Sequence, residues 1–335
     1  MLLLLCSGLS IPATAQNFSH IFRKIDGAVV VITTQEENKT LTDRGMRTTK
    51  AKGLGSGIII SPEGLILTAA HVVESADDIL VHLNDDSRFN ARVIASLSAP
   101  DLALIKILEP GDSLPYIRPG SSSKVETGEQ VLVIGAPYGL DHTLTVGHLS
   151  GRRFKDDTAF GIIEFLQTDA AINQGNSGGP LFSASGELIG IVSHIKSQSG
   201  GNEGLGFAAS IDMAKRLLLD SPPVWLGADF IILSEDLAKA LNAGQNSGML
   251  VQGVSRGSMS EKLGVKPGYI PAEINGTKLL LGGDIITRIN GVDVSSSKAG
   301  LQKVIKNYQR VKPGDTLTLT VKRRGSEIEL SATAE

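Results

Sequence analysis

Cysteine is almost absent from this chain: 335 residues contain only Cys6. That excludes a disulfide framework, a Cys-x-x-Cys redox centre and a cysteine-based zinc site. Aromatic residues make up 4%, and neither charge sign dominates: Lys plus Arg number 32 and Asp plus Glu 35, a net charge of −3. Such balance argues against a general nucleic-acid binder. No apolar run is long enough for a transmembrane helix, so no integral membrane span is expected. What is present is 41% hydrophobic and 20% charged, with 38 glycines. This is a globular composition, and at roughly 100–200 residues per domain the length predicts two domains.

The first residues read as a leader. Leu2 to Ile11 form a short apolar stretch, followed by Pro12 and Ala13-Thr14-Ala15. An apolar core ahead of an A-x-A site predicts export, with cleavage near Ala15/Gln16. One departure is that no Lys or Arg precedes the leucines.

From Val29 to about Ala209, short β-branched and apolar runs follow one another. Examples are Leu65–Thr68, Leu102–Ile107, Gln130–Ile134, Ile162–Thr168 and Leu188–His194, parted by turns such as Ser61-Pro62-Glu63-Gly64. That density predicts an all-β barrel or sandwich. The polar stretch Gln35–Lys52 reads as a long exposed loop. Ser210 caps a predicted helix, and Ser221-Pro222-Pro223 forms a stiff linker. An α+β segment follows, with strands at Trp225–Ile232, Met249–Val254, Asp284–Asn290 and Thr316–Lys322. Helices are predicted near Ser234–Leu241, from the Ser258–Glu261 capping box, and at Ser297–Tyr308.

Three segments carry the chemistry: Leu67-Thr68-Ala69-Ala70-His71, Pro100-Asp101-Leu102-Ala103 and Gly175-Asn176-Ser177-Gly178-Gly179. A serine nucleophile needs a base to take its proton and a carboxylate to fix that base's tautomer. His71, Asp101 and Ser177 supply these in that chain order. Converging backbone N–H groups at Gly175, Asn176 and Ser177 would form an oxyanion hole, with Gly175 and Ser177 as the donors. Taken singly, His71 is an ordinary structural histidine, Asp101 a turn residue and the glycine stretch a tight turn. The joint pattern is what points to acyl transfer.

With Gly55-Ser56-Gly57, Gln167–Asn173 and Gly204–Ala208 added, the chain closely resembles the HtrA/Deg family of trypsin-like serine proteases with C-terminal PDZ domains. The resemblance implies an all-β double six-stranded, chymotrypsin-like barrel domain over residues 16–220, and an α+β PDZ domain over 221–335. It also implies a periplasmic, ATP-independent endopeptidase that degrades unfolded or misfolded polypeptides and assembles as a homotrimer or higher oligomer. By the same resemblance His71, Asp101 and Ser177 are the triad. Trp225, Leu226, Gly227 and Ala228 match the loop that holds peptide C-termini, beside a groove walled by the Ser297–Tyr308 helix. Departures are Ala69-Ala70 before the histidine, Val192 where Asn is common, and a chain with room for one PDZ domain.

Asn176 stands where zymogen-activated enzymes of the trypsin type carry Asp, so activation by cleavage is not expected. Six positions before the serine is Ala171 rather than an acid, so Lys or Arg is not the expected target. The expected pocket walls are Ala171, Ile172, Ile191, Val192 and Ser193, favouring Val, Ile, Leu or Ala. Gly53-Leu54-Gly55-Ser56-Gly57 lacks the spacing of a nucleotide loop. The six histidines show no compact metal spacing, so no metal and no cofactor is expected. His142, His148 and His194 read first as solvated loop residues and second as flanks of a cleft. The competing function is a periplasmic holdase chaperone or PDZ adaptor with minor cleavage.

Overall fold

The computed structural model describes residues 17–42, 45–111, 113–136, 142–157, 160–197, 201–220, 222–241, 243, 247–274 and 276–334. The predicted leader with Cys6, Ser221 of the linker and Asn275 lie outside these residues.

The apolar runs become two closed barrels. A seven-residue helix α1 (Ser19–Ile25) leads into β1 (Val29–Thr42), β2 (Gly45–Ile59) and β3 (Leu65–Thr68). Helix α2 (Ala70–Val73) follows, and then β4 (Asp78–His82), β5 (Arg88–Leu97) and β6 (Leu102–Ile107). These strands close in the order β1-β2-β3-β6-β5-β4. The second barrel is built from β7 (Gln130–Gly135), β8 (Thr143–Asp157), β9 (Gly161–Thr168), β10 (Pro180–Ser183), β11 (Leu188–Ile195) and β12 (Gly206–Ser210), closed as β10-β11-β12-β9-β8-β7. Closure removes the exposed edges that short strands would otherwise leave.

Strand alternation divides the core. On β7, Val131 and Val133 fill the second barrel, while Leu132 and Ile134 join Leu67, Leu104 and Phe182 between the barrels. Ile32, Ile59, Ile66 and Ile105 fill the first. Helix α3 (Ile211–Ala214) runs on as a π-turn through Leu219, and the Ser210 hydroxyl caps it by accepting from Met213 N.

The loop expected over Gln35–Lys52 is instead a hairpin. β1 and β2 stay paired from Val29↔Ile58 to Thr42↔Gly45. Thr-rich polar residues serve as well as apolar ones where neither face is buried, since the ladder's hydrogen bonds are backbone to backbone.

The last part is a separate sheet. β13 (Ala228–Ile232) is followed by α4 (Glu235–Ala240), β14 (Met249–Val254), α5 (Met259–Leu263), β15 (Ile270–Ile274), β16 (Thr277–Leu281), β17 (Ile285–Ile289) and β18 (Val292–Asp293). α6 (Lys298–Tyr308), β19 (Thr316–Arg323) and β20 (Ser326–Thr333) complete it. The sheet order is β13-β14-β17-β19-β20, with β18 beside β17, while β15 and β16 form their own hairpin. β20 and α1 were not expected from the sequence. Val304 of α6 joins one apolar core with Val251, Ile286 and Leu319. Serines cap three of these helices: Ser234, Ser258 and Ser297 accept from Leu237 N, Glu261 N and Gly300 N.

The sheet domain rests on the first barrel. Ser255 Oγ donates to the Glu74 carbonyl at 2.8 Å, and Leu41 N donates to the Tyr269 carbonyl at 2.8 Å.

Candidate active site

His71 sits on α2, at the exit of β3, where Ala69 and Ala70 are fully buried. Thr68 Oγ1 donates to the Ser56 carbonyl at 2.7 Å and fixes that exit. Asp101 occupies the turn before β6 in a left-handed conformation, φ 53°. A non-glycine residue is uncommon there; Asp101 N closes the turn on the Ser98 carbonyl at 3.1 Å.

The turn delivers the carboxylate to the histidine. His71 Nδ1 lies 2.9 Å from Asp101 Oδ1 and 3.0 Å from Oδ2, and the His71 backbone N–H donates to Oδ1 at 3.1 Å. The hydrogen bond to Asp101 raises the His71 pKa above the usual 6.5; burial opposes this, and the charges of Asp101 and Glu74 add to it. Burial works against the Asp101 carboxylate, but hydrogen bonds from His71 and Ser193, with the His71 charge, hold it below the ordinary carboxylate range.

Ser177 arrives from the second barrel, on the loop before β10. Gly175 and Gly178 take positive φ, 101° and 82°. A Cβ on Gly178 would collide with Thr68 Oγ1 and the Ser56 carbonyl, so only glycine fits. Ser56 stitches the loop to the first barrel. Its N–H donates to the Ser177 carbonyl at 2.8 Å, and its hydroxyl donates to the Gly175 carbonyl at 2.7 Å while accepting from Ala136 N at 3.0 Å. Gly178 N and Val192 N complete the register with β11 through the Val192 and Gly179 carbonyls. The Ser177 hydroxyl donates to the Ser193 carbonyl at 3.3 Å and makes no hydrogen bond to His71.

Of the expected oxyanion donors, Asn176 N–H is spent on the Asn173 carbonyl at 3.0 Å. Gly175 N and Ser177 N have no partner among the described residues. Asn176 is 1% exposed and its Oδ1 is buried without a partner.

The expected pocket walls are distributed differently. Ile172 and Val192 pack inside the second barrel and Ile191 between the barrels, at 2%, 0% and 0% exposure. Ser193 turns its hydroxyl onto Asp101 Oδ2 at 2.5 Å, so it supports the carboxylate instead of facing a side chain. Ala171 alone of the five is partly exposed. Asp169 accepts from His148 N, in keeping with a turn carboxylate. His142 is no solvated residue: its ring pairs with Asp26 at 2.8 Å.

At the second site Gly227 takes φ 61°, and the Leu226 and Gly227 carbonyls accept from Ser260 N and Ser255 N, both at 2.9 Å. Among the described residues β13 has only β14 as a ladder neighbour, which leaves its other edge without a strand. Leu226 and Ala228 pack against the same apolar core as Leu301 and Tyr308 of α6. Tyr308 OH donates to the Val224 carbonyl at 2.6 Å, and burial pushes its pKa up. Trp225, expected in the peptide loop, packs against the core of the first barrel. There it acts as a wedge between domains.

The sequence offered Ser56 only within a family motif and Ser193 only as a pocket wall, and gave neither hydroxyl its partner. Both are hydroxyls at full burial or 1% exposure within glycine- and valine-rich stretches, and a buried hydroxyl requires a partner.

Fold and site together define a trypsin-like peptidase domain joined to a PDZ domain. The corresponding family models, trypsin-like peptidase domain and PDZ domain, match residues 55–191 and 226–333. A probable periplasmic serine endoprotease, DegP-like, of Pseudomonas savastanoi pv. phaseolicola is 41% identical over 286 residues, covering 83% of this chain and 57% of the relative. The chain thus spans about half the length of the curated relatives it matches. The HtrA-type protease AlgW with tripeptide is 31% identical, with TM-score 0.53 and coverage of 95% of this chain and 96% of that one. AlgW with decapeptide is 29% identical, with TM-score 0.52 and coverage of 95% and 98%. The chain belongs to the HtrA-type serine protease family. Among the described residues no helix is long and apolar enough to cross a membrane.

Proposed function

We propose that the chain is an ATP-independent serine endopeptidase of the periplasm that cuts unfolded polypeptides, with its barrel and PDZ parts divided near residue 220. The observation that carries this reading is the bidentate seat of His71 Nδ1 on Asp101 at 2.9 and 3.0 Å, with Ser193 of the other barrel holding Asp101 through its hydroxyl and the Ser177 hydroxyl through its carbonyl. Asp101 holds the Nδ1–H tautomer, which leaves the Nε2 lone pair as the base. On substrate binding the Ser177 hydroxyl swings from the Ser193 carbonyl to Nε2, since such contacts commonly tighten only in the Michaelis complex. Oγ then attacks the scissile carbonyl and its proton passes to Nε2. The N–H groups of Gly175 and Ser177 receive the oxyanion, and His71 returns the proton to the leaving amine. Water repeats the sequence on the acyl-enzyme. These steps need no cofactor and no metal.

The open edge of β13 supports capture of an extended peptide by strand addition, with its C-terminal carboxylate at the Leu226–Gly227 turn. The names of the relatives support the periplasmic setting; assembly into a homotrimer or higher oligomer belongs to the same proposal.

Ser177→Ala tests the reading. Loss of a triad member leaves only about 10³–10⁴-fold acceleration over water. Wild type should degrade a reduced, unfolded protein without ATP, and the variant should bind it and leave it intact. Suppressed aggregation with no Ser177-dependent cleavage would replace the protease reading with the holdase one.

A further inference from the structure

A third side chain stands behind the Asp101 carboxylate. Strand β11 carries a one-residue irregularity against β12: Val192 pairs with Ala208 and His194 with Phe207, so Ser193 has no partner in the ladder. Bulges of this kind re-aim side chains next to functional sites. Here the bulge turns Ser193 Oγ onto Asp101 Oδ2 at 2.5 Å and sets His194 Nδ1 2.8 Å from the same Oγ.

Proton bookkeeping fixes the direction of every bond. Ser193 has one hydroxyl hydrogen, and the ionised Asp101 can only accept, so that hydrogen goes to Asp101. At its contact with His194, Ser193 Oγ is therefore the acceptor and Nδ1–H the donor. The chain runs His194 Nδ1–H to Ser193 Oγ, then Ser193 Oγ–H to Asp101, where His71 Nδ1–H also ends.

The ring is held for this task. It stacks on Phe207 at 5.1 Å and 19°, and meets the edge of Phe165 at 5.5 Å and 76°. Burial lowers the His194 pKa, with the Asp101 charge opposing and the His71 charge adding to that effect. This lowering runs opposite to the rise at His71, and in its neutral form the imidazole donates without adding a cation beside the base.

We propose that His194 is a positioning residue of the active site, acting through the Ser193 hydroxyl to hold and polarise the hydrogen bond on Asp101. The inference rests on the serine peptidase reading above. A donor to the Ser193 oxygen makes its hydroxyl a stronger donor in turn, which fixes the carboxylate orientation and moderates its pull on His71.

The test uses the full chain and a peptide substrate. His194→Phe keeps a ring on Phe207 but removes the donor. His194→Asn places an amide N–H near the Nδ1 position, while the longer amide of His194→Gln matches Nε2 instead. His194→Phe should lower kcat about five- to tenfold, the size of one net hydrogen bond, with KM changed less than twofold. The Asn variant should recover most of that loss and the Gln variant should not. The acid limb of kcat/KM should move to higher pH in His194→Phe, because Asp101 then pulls harder on the His71 proton. In a Ser193→Ala background, adding His194→Phe should cost nothing further.

Equal kcat for wild type and the Phe variant would overturn the proposal. So would a loss confined to KM, which makes His194 a substrate wall, or an undiminished effect in the Ser193→Ala background. NMR titration of His71 in Ser177→Ala protein, with and without His194→Phe, reads the same coupling without turnover. An unmoved His71 titration sinks the proposal, whereas an inactive wild type with a moved titration sinks only the peptidase reading. Melting curves of all variants separate unfolding from these effects, with the Asn variant as the folded control.

Discussion

Ser56 and Gly175 are joined across the two barrels: the Ser56 hydroxyl donates to the Gly175 carbonyl at 2.7 Å. The base and carboxylate come from one barrel and the nucleophile from the other, so this bond fixes how the halves of the site meet.

Ser56→Ala keeps the Cβ and removes both hydroxyl contacts. It leaves the Gly175 carbonyl and Ala136 N–H buried and unpaired, and should cost about 1–3 kcal/mol of stability. With Gly175 loosened, kcat should fall more than KM rises. Denaturant melts and steady-state kinetics measure the two effects. An unchanged kcat would remove Ser56 from the placement of the nucleophile loop.

The pH dependence follows from the His71–Asp101 pair. His71 must be neutral to act as base, and its pKa is raised by Asp101. The acid limb of kcat/KM should therefore lie above the ordinary histidine value of about 6.5. The raised His71 pKa contributes stability that is fully present below about 6.5 and is lost as pH rises through the folded value. The depressed Asp101 pKa contributes stability above about 3.9 that is lost as pH falls through its folded value. Rates of wild type from pH 5 to 9, with denaturant midpoints of wild type and His71→Ala, check these signs. A rate still flat at pH 5 in folded protein contradicts the assignment of the base.

Cleavage should fall after Val, Leu, Ile or Ala. Ala171 supplies no acid at the pocket, and discrimination among small apolar groups is worth only about 1–3 kcal/mol per methylene. A mass-spectrometric map of casein digests dominated by Lys and Arg would refute it.

Peptides with a free apolar C-terminus should bind the Ser177→Ala chain, with amidated versions binding much less. Affinity should be micromolar, because an extended peptide loses entropy on ordering. Gly227→Ala should weaken the binding, since at φ 61° the added Cβ collides with Ser258. Overlapping calorimetric titrations for free and amidated peptides would dismiss the carboxylate turn.

The strands read most easily were those that bury both faces. Leu65–Thr68 and Leu102–Ile107 match β3 and β6 residue for residue, because an apolar run between turns has few other solutions. The polar Gln35–Lys52 hairpin was illegible since it buries almost nothing. β20 did carry a signal, with Ile328, Leu330 and Ala332 alternating against exposed neighbours. His71, Asp101 and Ser177 stood out as candidates because their types and order are rare in combination, and the structure seats the first two on each other. The partners of Ser56 and Ser193 were not, since a hydroxyl's choice depends on which strand passes it in space. The same is true of Ile191 and Trp225, apolar residues for which a pocket and a core look alike in one dimension.

The long β1–β2 hairpin bears on self-digestion. An unpaired polar stretch between Gln35 and Lys52 would thread readily into the cleft of a neighbouring copy. A protease binds its substrate as a lone extended strand, and here the two strands are already joined to each other by cross-strand hydrogen bonds along the ladder from Val29↔Ile58 to Thr42↔Gly45. Pulling one strand free would break those bonds in succession. Pairing therefore shields from cleavage a segment that its composition alone would offer as food.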